Sequence, residues 1–477
     1  MTLTRRPWAL LAVALATFMT YLDNNIVNVA MPAIQRDLGL TTSGLEWVVS
    51  SYILVFAGLL LAGGRLADAF GRRRLFLLGL TVFTAASVVA GLAGSVDVLV
   101  AARAVQGLGA ALVTPTTLAI ISHAYPDPKQ RTAAIGIWAG VGGLALAVGP
   151  LLGGLLSEHA SWGWIFEINA PVGVATLALG AWAVTESRDT VRRRLDLPGI
   201  ALSVVGLTAL TWALIEGASR GWTSSSILVS FAVAALAAVA FVAVEHRAVD
   251  PMVSLPLFRN RAFTGGTIAL MLWAFGLFGI YFFTSLYLQQ VLAFSPTEAG
   301  LAFLPMALLL VTFAVLSERI AAAVGAHRAV TAGMLLMAVG IGTVALLGAD
   351  AGYLSLMPSF VLIGIGGGLT TPLTATVVGA MPASQAGVAS GLFNASREVA
   401  GLLGITVIGA VLSARSASAT RGGALPLDAF LSGYRLGLLV SAGLVAVGGL
   451  ASWLALRGTT TAPVAAPAPE LAVPVPV

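Results

Sequence analysis

The chain has 477 residues, of which 58% are hydrophobic and 9% charged, and its mean hydropathy is +0.96. That composition excludes a soluble globular protein and points to a polytopic membrane protein. The net charge of +5 does not mark a nucleic-acid binder, because the basic residues are spread over short loops between apolar runs, and the absence of cysteine excludes disulfides and thiolate metal sites.

In chain order, Arg5 and Arg6 precede an apolar run from Trp8 to about Met31. The run is too long for a signal-peptide core and lacks a small-residue cleavage site, so it reads as a retained first span. Runs long enough to cross about 30 Å of hydrocarbon at about 1.5 Å per residue follow near 45–63, 75–95, 98–121, 134–156, 164–185, 198–216, 225–244, 263–290, 298–316, 328–348, 353–378, 391–412 and 433–456. These make fourteen spans. Cytoplasmic loops collect Arg and Lys. With the N-terminus in the cytosol, only Arg36, Arg220, Arg415, Arg421 and Arg435 fall on the far side, whereas Arg65, Arg72, Arg73, Arg74, Lys129, Arg131, Arg188, Arg192, Arg193, Arg194, Arg247, Arg259, Arg261, Arg319, Arg328 and Arg457 fall inside. An even count of spans returns the C-terminus to the cytosol. The expected location is the plasma membrane, with both termini cytosolic.

The stretch Asp97 to Leu156 carries two unusual features. Arg103 lies within an apolar span, and intramembrane charges mark ion or substrate pathways. The next span carries Gly136, Gly140, Gly143, Ala147, Pro150 and Gly154. They form a 4-3-4-3-4 ladder on one helical face, which lets another backbone approach closely.

A repeat is visible as well. Gly107-Leu108-Gly109-Ala110-Ala111-Leu112-Val113-Thr114-Pro115 returns as Gly364-Ile365-Gly366-Gly367-Gly368-Leu369-Thr370-Thr371-Pro372, in spans four and twelve. Two like-oriented halves with a central site form a transporter architecture. The predicted fold is therefore an all-α membrane protein of two six-helix bundles plus two inserted spans, seven and eight. The expected units are an N-terminal bundle over 1–187, linkers with the inserted spans over 188–262, a C-terminal bundle over 263–456 and a disordered cytosolic tail over 457–477, rich in Thr, Ala and Pro. The linkers are expected at Arg188 to Leu195 and Glu245 to Arg261.

The loop Gly63-Gly64-Arg65-Leu66-Ala67-Asp68-Ala69-Phe70-Gly71-Arg72-Arg73-Arg74 resembles the Gly-x-Leu-Ala-Asp-x-x-Gly-Arg-Arg loop of the major facilitator superfamily. Other stretches resemble its fourteen-span drug:proton antiporter branch. These are Leu22 to Pro32, Arg103 with Gln106-Gly107-Leu108-Gly109, Gly149-Pro150-Leu151-Leu152-Gly153-Gly154, Trp162 to Pro171, Asp196-Leu197-Pro198-Gly199 and Asn394-Ala395-Ser396-Arg397-Glu398. Ala145 stands where the antiporter motif usually begins with Gly, Gly163 replaces a common arginine, and Glu398 sits where glutamine is more usual. The resemblance implies a proton-coupled exporter of drugs, antibiotics or other amphipathic or cationic small molecules. It gives Arg103 a role in proton coupling and Gly149, Pro150, Gly153 and Gly154 the antiporter motif.

The residues themselves add several expectations. Asp23 lies about fifteen residues into span one, ~22 Å up, at a height similar to that of Arg103, so the two can be neighbours. Movement of the pair can then take up or release a proton. Glu398, beside Arg397, joins them as a candidate proton carrier. Gly64, Asp68, Gly71 and Arg72 form a candidate conformational-switch loop, with Asp68 expected to face a helix N-terminus or an arginine of the other bundle. Asn24, Asn28, Gln106, Trp138, Asn394 and Arg397 are candidate cavity residues, and Phe166, Phe275, Phe278, Tyr281, Phe282 and Phe393 can add an aromatic wall. Glu167 and Glu216 sit near span ends, where headgroup water solvates them. None of His123, His159, His246 and His327 has ligand-like spacing, so no metal is expected. No Gly-x4-Gly-Lys-Ser/Thr phosphate loop or Gly-x-Ser-x-Gly elbow occurs. Neither ATP drive nor an enzyme is expected, and the energy source is a proton gradient rather than a cofactor. The expected partners are a drug-like small molecule, protons and the bilayer, with no nucleic acid, for a monomer. The competing reading is a proton-independent facilitator or membrane sensor with the same fold.

Overall fold

The computed structural model describes residues 3–188, 195–382 and 385–458. Among these it contains fourteen helices long and apolar enough to cross a membrane. Span 1 is Arg6–Leu38, span 2 Thr42–Phe70, span 3 Arg72–Gly91, span 4 Val96–Ala124, span 5 Pro128–His159, span 6 Trp164–Ala183 and span 7 Leu197–Arg220. Span 8 is Ser225–Arg247, span 9 Arg261–Val291, span 10 Pro296–Val324, span 11 Ala326–Ala345, span 12 Tyr353–Gly379, span 13 Gly387–Arg421 and span 14 Pro426–Leu456. Arg192, Arg193, Arg194 and the tail 459–477 lie outside the described residues.

Local chemistry sets where these helices begin. Thr41, Ser95 and Asp127 each accept the backbone N–H three residues on. Ser295 and Glu298 form a reciprocal capping box at the start of span 10, which satisfies donors that a helix N-terminus otherwise leaves orphaned. Span 12 differs from its counterpart, span 4. Pro115 sits inside a continuous helix, whereas span 12 breaks between Leu369 and Pro372. The glycines of 366–368 weaken the helix there, and Thr370 and Thr371 turn their hydroxyls onto the carbonyls of Gly367 and Gly368 at 2.6 and 2.8 Å.

The repeat seen in the sequence is a repeat of packing. A Cβ at Gly107 would stand 2.4 Å from the Tyr52 carbonyl of span 2, and one at Gly109 2.7 Å from the Gly79 carbonyl of span 3. Gly364 makes the same approach to Met306 of span 10 at 2.5 Å, and Gly366 to Gly333 of span 11 at 2.5 Å. Two six-helix bundles result. Spans 2 and 3 flank span 4 and spans 1 and 3 flank span 6, as spans 10 and 11 flank span 12 and spans 9 and 11 flank span 14. Spans 5 and 10 pack across the seam between the bundles, as do spans 2 and 13. Span 7 lies against spans 2 and 13, while span 8 packs mainly on span 7.

Candidate substrate cavity and buried ion pairs

The seam is fastened at one end only. At the face opposite Arg5, Gln289 of span 9 donates to the Val29 carbonyl at 2.8 Å and Gln290 to Gln35 at 2.7 Å. Glu158 accepts the Thr297 N–H at 2.8 Å. Spans 5 and 10 touch backbone to backbone there: a Cβ at Gly154 would lie 2.3 Å from the Pro296 carbonyl, and one at Gly300 2.4 Å from that of Pro150. Toward the Arg5 face the same two helices separate, and Gly136 and Gly140 have nothing within 4 Å of a would-be Cβ. The glycine ladder thus mediates close approach along half its length, not all of it.

Between the bundles lies a cavity of about 620 Å³. Its walls run from Asn28 and Tyr281 at mid-helix to Gly64, Arg65, Asp68, Arg72 and Met252 near the Arg5 face. Asn24, Asn28, Trp138, Asn394 and Arg397 line it as expected, with Phe278 and Tyr281. Phe166, Phe275, Phe282 and Phe393 are not in its wall. Tyr21, Tyr52 and Trp273 are, and the sequence reading missed them. Arg397 grips Glu398 at 2.6 Å and reaches the Tyr21 hydroxyl at 3.4 Å. Glu398 lines the cavity too, and its Oε2 is buried without a donor. Asn24 Oδ1 is similarly unmet.

Asp23 and Arg103 are partners, and both are completely buried. The Asp23 carboxylate also accepts Gln106 Nε2 at 2.9 Å and Asn169 Nδ2 at 3.1 Å. Arg103 donates to the Val48 carbonyl at 3.2 Å and to Gln106 Oε1 at 2.9 Å, with its guanidinium 4.4 Å from the Tyr52 ring centre and 5.5 Å from that of Phe166. Spans 1, 2, 3, 4 and 6 enclose this network. It lies within the first bundle, and Tyr52 separates it from the cavity. Gln106 belongs to this sealed network and not to the cavity wall where it was expected. Its amide is committed to Asp23 and to Ser87 Oγ at 2.7 Å.

Asp68 also departs from expectation. Its partner is Arg72 of its own bundle, at 2.9 and 3.1 Å, one helical turn away across Gly71. Gly71 itself is required: its φ is +113°, and a Cβ would stand 2.6 Å from the Glu186 carboxylate, which accepts the Arg73 N–H at 3.1 Å. Gly64 faces the cavity beside Pro115. Gly149 and Gly153 of the antiporter motif pack on Asn25 and Ile26 of span 1, while Pro150 and Gly154 meet span 10.

Two further acids sit away from the cavity. Glu216 accepts the Trp47 indole N–H at 3.2 Å and pairs with Arg220 at 3.5 Å. Glu46, which the sequence reading did not single out, is buried with Oε2 unmet and presses on Gly409 of span 13.

Comparisons agree with this architecture. Residues 13–405 match the family model of the Major Facilitator Superfamily. The chain is 37% identical to the multidrug resistance protein Stp of Mycobacterium tuberculosis, over 85% of this chain and 75% of that protein. It is 38% identical to the tetracenomycin C resistance and export protein of Streptomyces glaucescens, over 86% and 77%. A puromycin resistance protein of Streptomyces alboniger is 35% identical over 96% and 93%. Among solved structures, an auto-inhibited peptide transporter of the POT family superposes with a TM-score of 0.71 at 14% identity over 98% and 99% of the chains. An inward-facing bacterial Spinster homologue does so with 0.68 at 17% identity over 96% and 98%. The chain is a multi-pass membrane transporter belonging to the Major Facilitator Superfamily, among relatives that confer drug and antibiotic resistance.

Proposed function

We propose that this transporter exports drug-like small molecules in exchange for protons, alternating access to a central cavity by rocking its two bundles. The names of its relatives, multidrug resistance protein and tetracenomycin C resistance and export protein, support a drug-like substrate. The observation that carries proton exchange is Glu398. Its carboxyl sits in the cavity wall among aromatic and asparagine side chains, salt-bridged through one oxygen and unmet at the other. A carboxyl so placed can exchange its proton against a bound substrate. Asp23 and Arg103 form a second ionisable element one ring behind the wall, which Tyr52 can couple to cavity occupancy. With the Arg5 face in the cytosol of a plasma membrane, the cavity is loaded from inside, and no bound cofactor is needed.

A susceptibility panel in efflux-deficient cells identifies a substrate, and inside-out vesicles then test the coupling. Uptake of that substrate should follow an acid-inside gradient and vanish when nigericin collapses it. Unchanged flux after collapse would favour a proton-independent facilitator, and no flux of any compound would favour a sensor.

A further inference from the structure

Asp196 and Glu245 meet at the Arg5 face, away from both ionisable elements used above. Asp196 caps span 7, accepting the Gly199 N–H through Oδ1 at 2.9 Å, and its Oδ2 faces the Met252 N–H at 3.4 Å. Glu245, in the penultimate turn of span 8 and 3% exposed, accepts the Val253 N–H through Oε2 at 3.0 Å. Its Oε1 is buried and receives no donor. The two carboxyl groups are within hydrogen-bonding reach of each other. Both press on Gly199, where a Cβ would lie 2.5 Å from Asp196 Oδ2 and 2.9 Å from Glu245 Oε1. Ionised carboxylates only accept, so two buried carboxyl oxygens facing each other need a proton between them.

The surroundings give that proton a task. Arg65 of span 2, the charged neighbour facing the pair from the first bundle, donates to the Asp250 carbonyl at 2.7 Å and to that of Pro251. His246 and Arg247 are exposed. Residues 250–253 are therefore held by Arg65, Asp196 and Glu245 together, and Met252 and Arg65 line the mouth of the cavity. We propose that Asp196 and Glu245 are a proton-binding site, with one proton held between Glu245 Oε1 and Asp196 Oδ2, and that this proton fastens the 250–253 strap at the cavity mouth. Losing it to water leaves two buried like charges, which repel, and loosens the strap's hold on the Met252 and Val253 amides.

The test needs neither substrate nor gradient, so it stands apart from the fate of the transport reading. The chain has no cysteine, so Met252→Cys introduces a sole thiol. Its maleimide labelling is measured from pH 5 to 9.5 and normalised to Leu425→Cys, an exposed position on the opposite face, to cancel thiol ionisation. Normalised labelling should rise several-fold with pH. Glu245→Gln supplies an N–H where the proton sits and should hold labelling low at every pH, as should Asp196→Asn, whereas Glu245→Ala should hold it high. A flat profile in the parent, or an unchanged pH profile in both amide variants, would overturn the proposal.

Discussion

Asp23→Asn is the sharpest perturbation of the first bundle. The Asp23 carboxylate serves three donors, Arg103 through Oδ2 and Gln106 and Asn169 through Oδ1. An asparagine presents its NH2 either to the guanidinium or to the two amides, so a donor faces a donor in both rotamers. At least one charge-assisted hydrogen bond goes, about 1.5–3 kcal/mol, and Arg103 keeps a fully buried charge with only the Val48 carbonyl, Gln106 and two aromatic faces around it. Removing one partner of a buried ion pair costs about 3–5 kcal/mol in all. Denaturant unfolding in detergent, followed by intrinsic tryptophan fluorescence, should show a loss of that order. Adding Arg103→Met removes the orphaned charge, so the double variant should be more stable than the sum of the two singles implies. Strict additivity, or a single variant as stable as the parent, would refute the view that the two charges exist for each other.

Glu398→Gln should leave stability within about 1 kcal/mol, since Glu398 Oε2 makes no hydrogen bond, yet abolish gradient-driven uptake in inside-out vesicles. Retained uptake would remove Glu398 from the coupling. Gly300→Ala forces spans 5 and 10 apart beside Pro150, and thiol labelling on the face opposite Arg5 should rise. Gly71→Ala combines a positive φ with a clash against Glu186 and should cost about 1–3 kcal/mol, read from the same unfolding curves. Gly140→Leu should leave the unfolding midpoint within about 0.5 kcal/mol while export falls sharply, because the ladder position is vacant only while the Arg5 face is open.

Hydropathy and charge bias found the spans because lipid leaves few other ways to satisfy a backbone. Heights were also legible: counting residues along span 1 and span 4 put Asp23 beside Arg103. Azimuth was not. Depth places Gln106 level with the cavity but cannot say that it turns toward Ser87 and Asp23, and the same ignorance hid Tyr52, which stands between the network and the cavity. Charged span ends were read as solvated, which suits Glu216 but hides Glu46, covered by the backbone of span 13. Asp196 and Glu245 escaped notice because they meet only when spans 7 and 8 fold back as a pair, and the rule for orienting loops weighs cations. The break in span 12 was visible only as a glycine run, since the matching Pro115 leaves span 4 intact.

The half-used ladder on span 5 works like a see-saw. Pro150 and Gly154 occupy one arm against span 10, while Gly136 and Gly140 leave the other bare. Tilting the helices would unzip backbone contacts on one arm and zip similar ones on the other, so the two poses differ little in packing. A single protonation event, worth about 1.4 kcal/mol per pH unit, is then enough to choose between them.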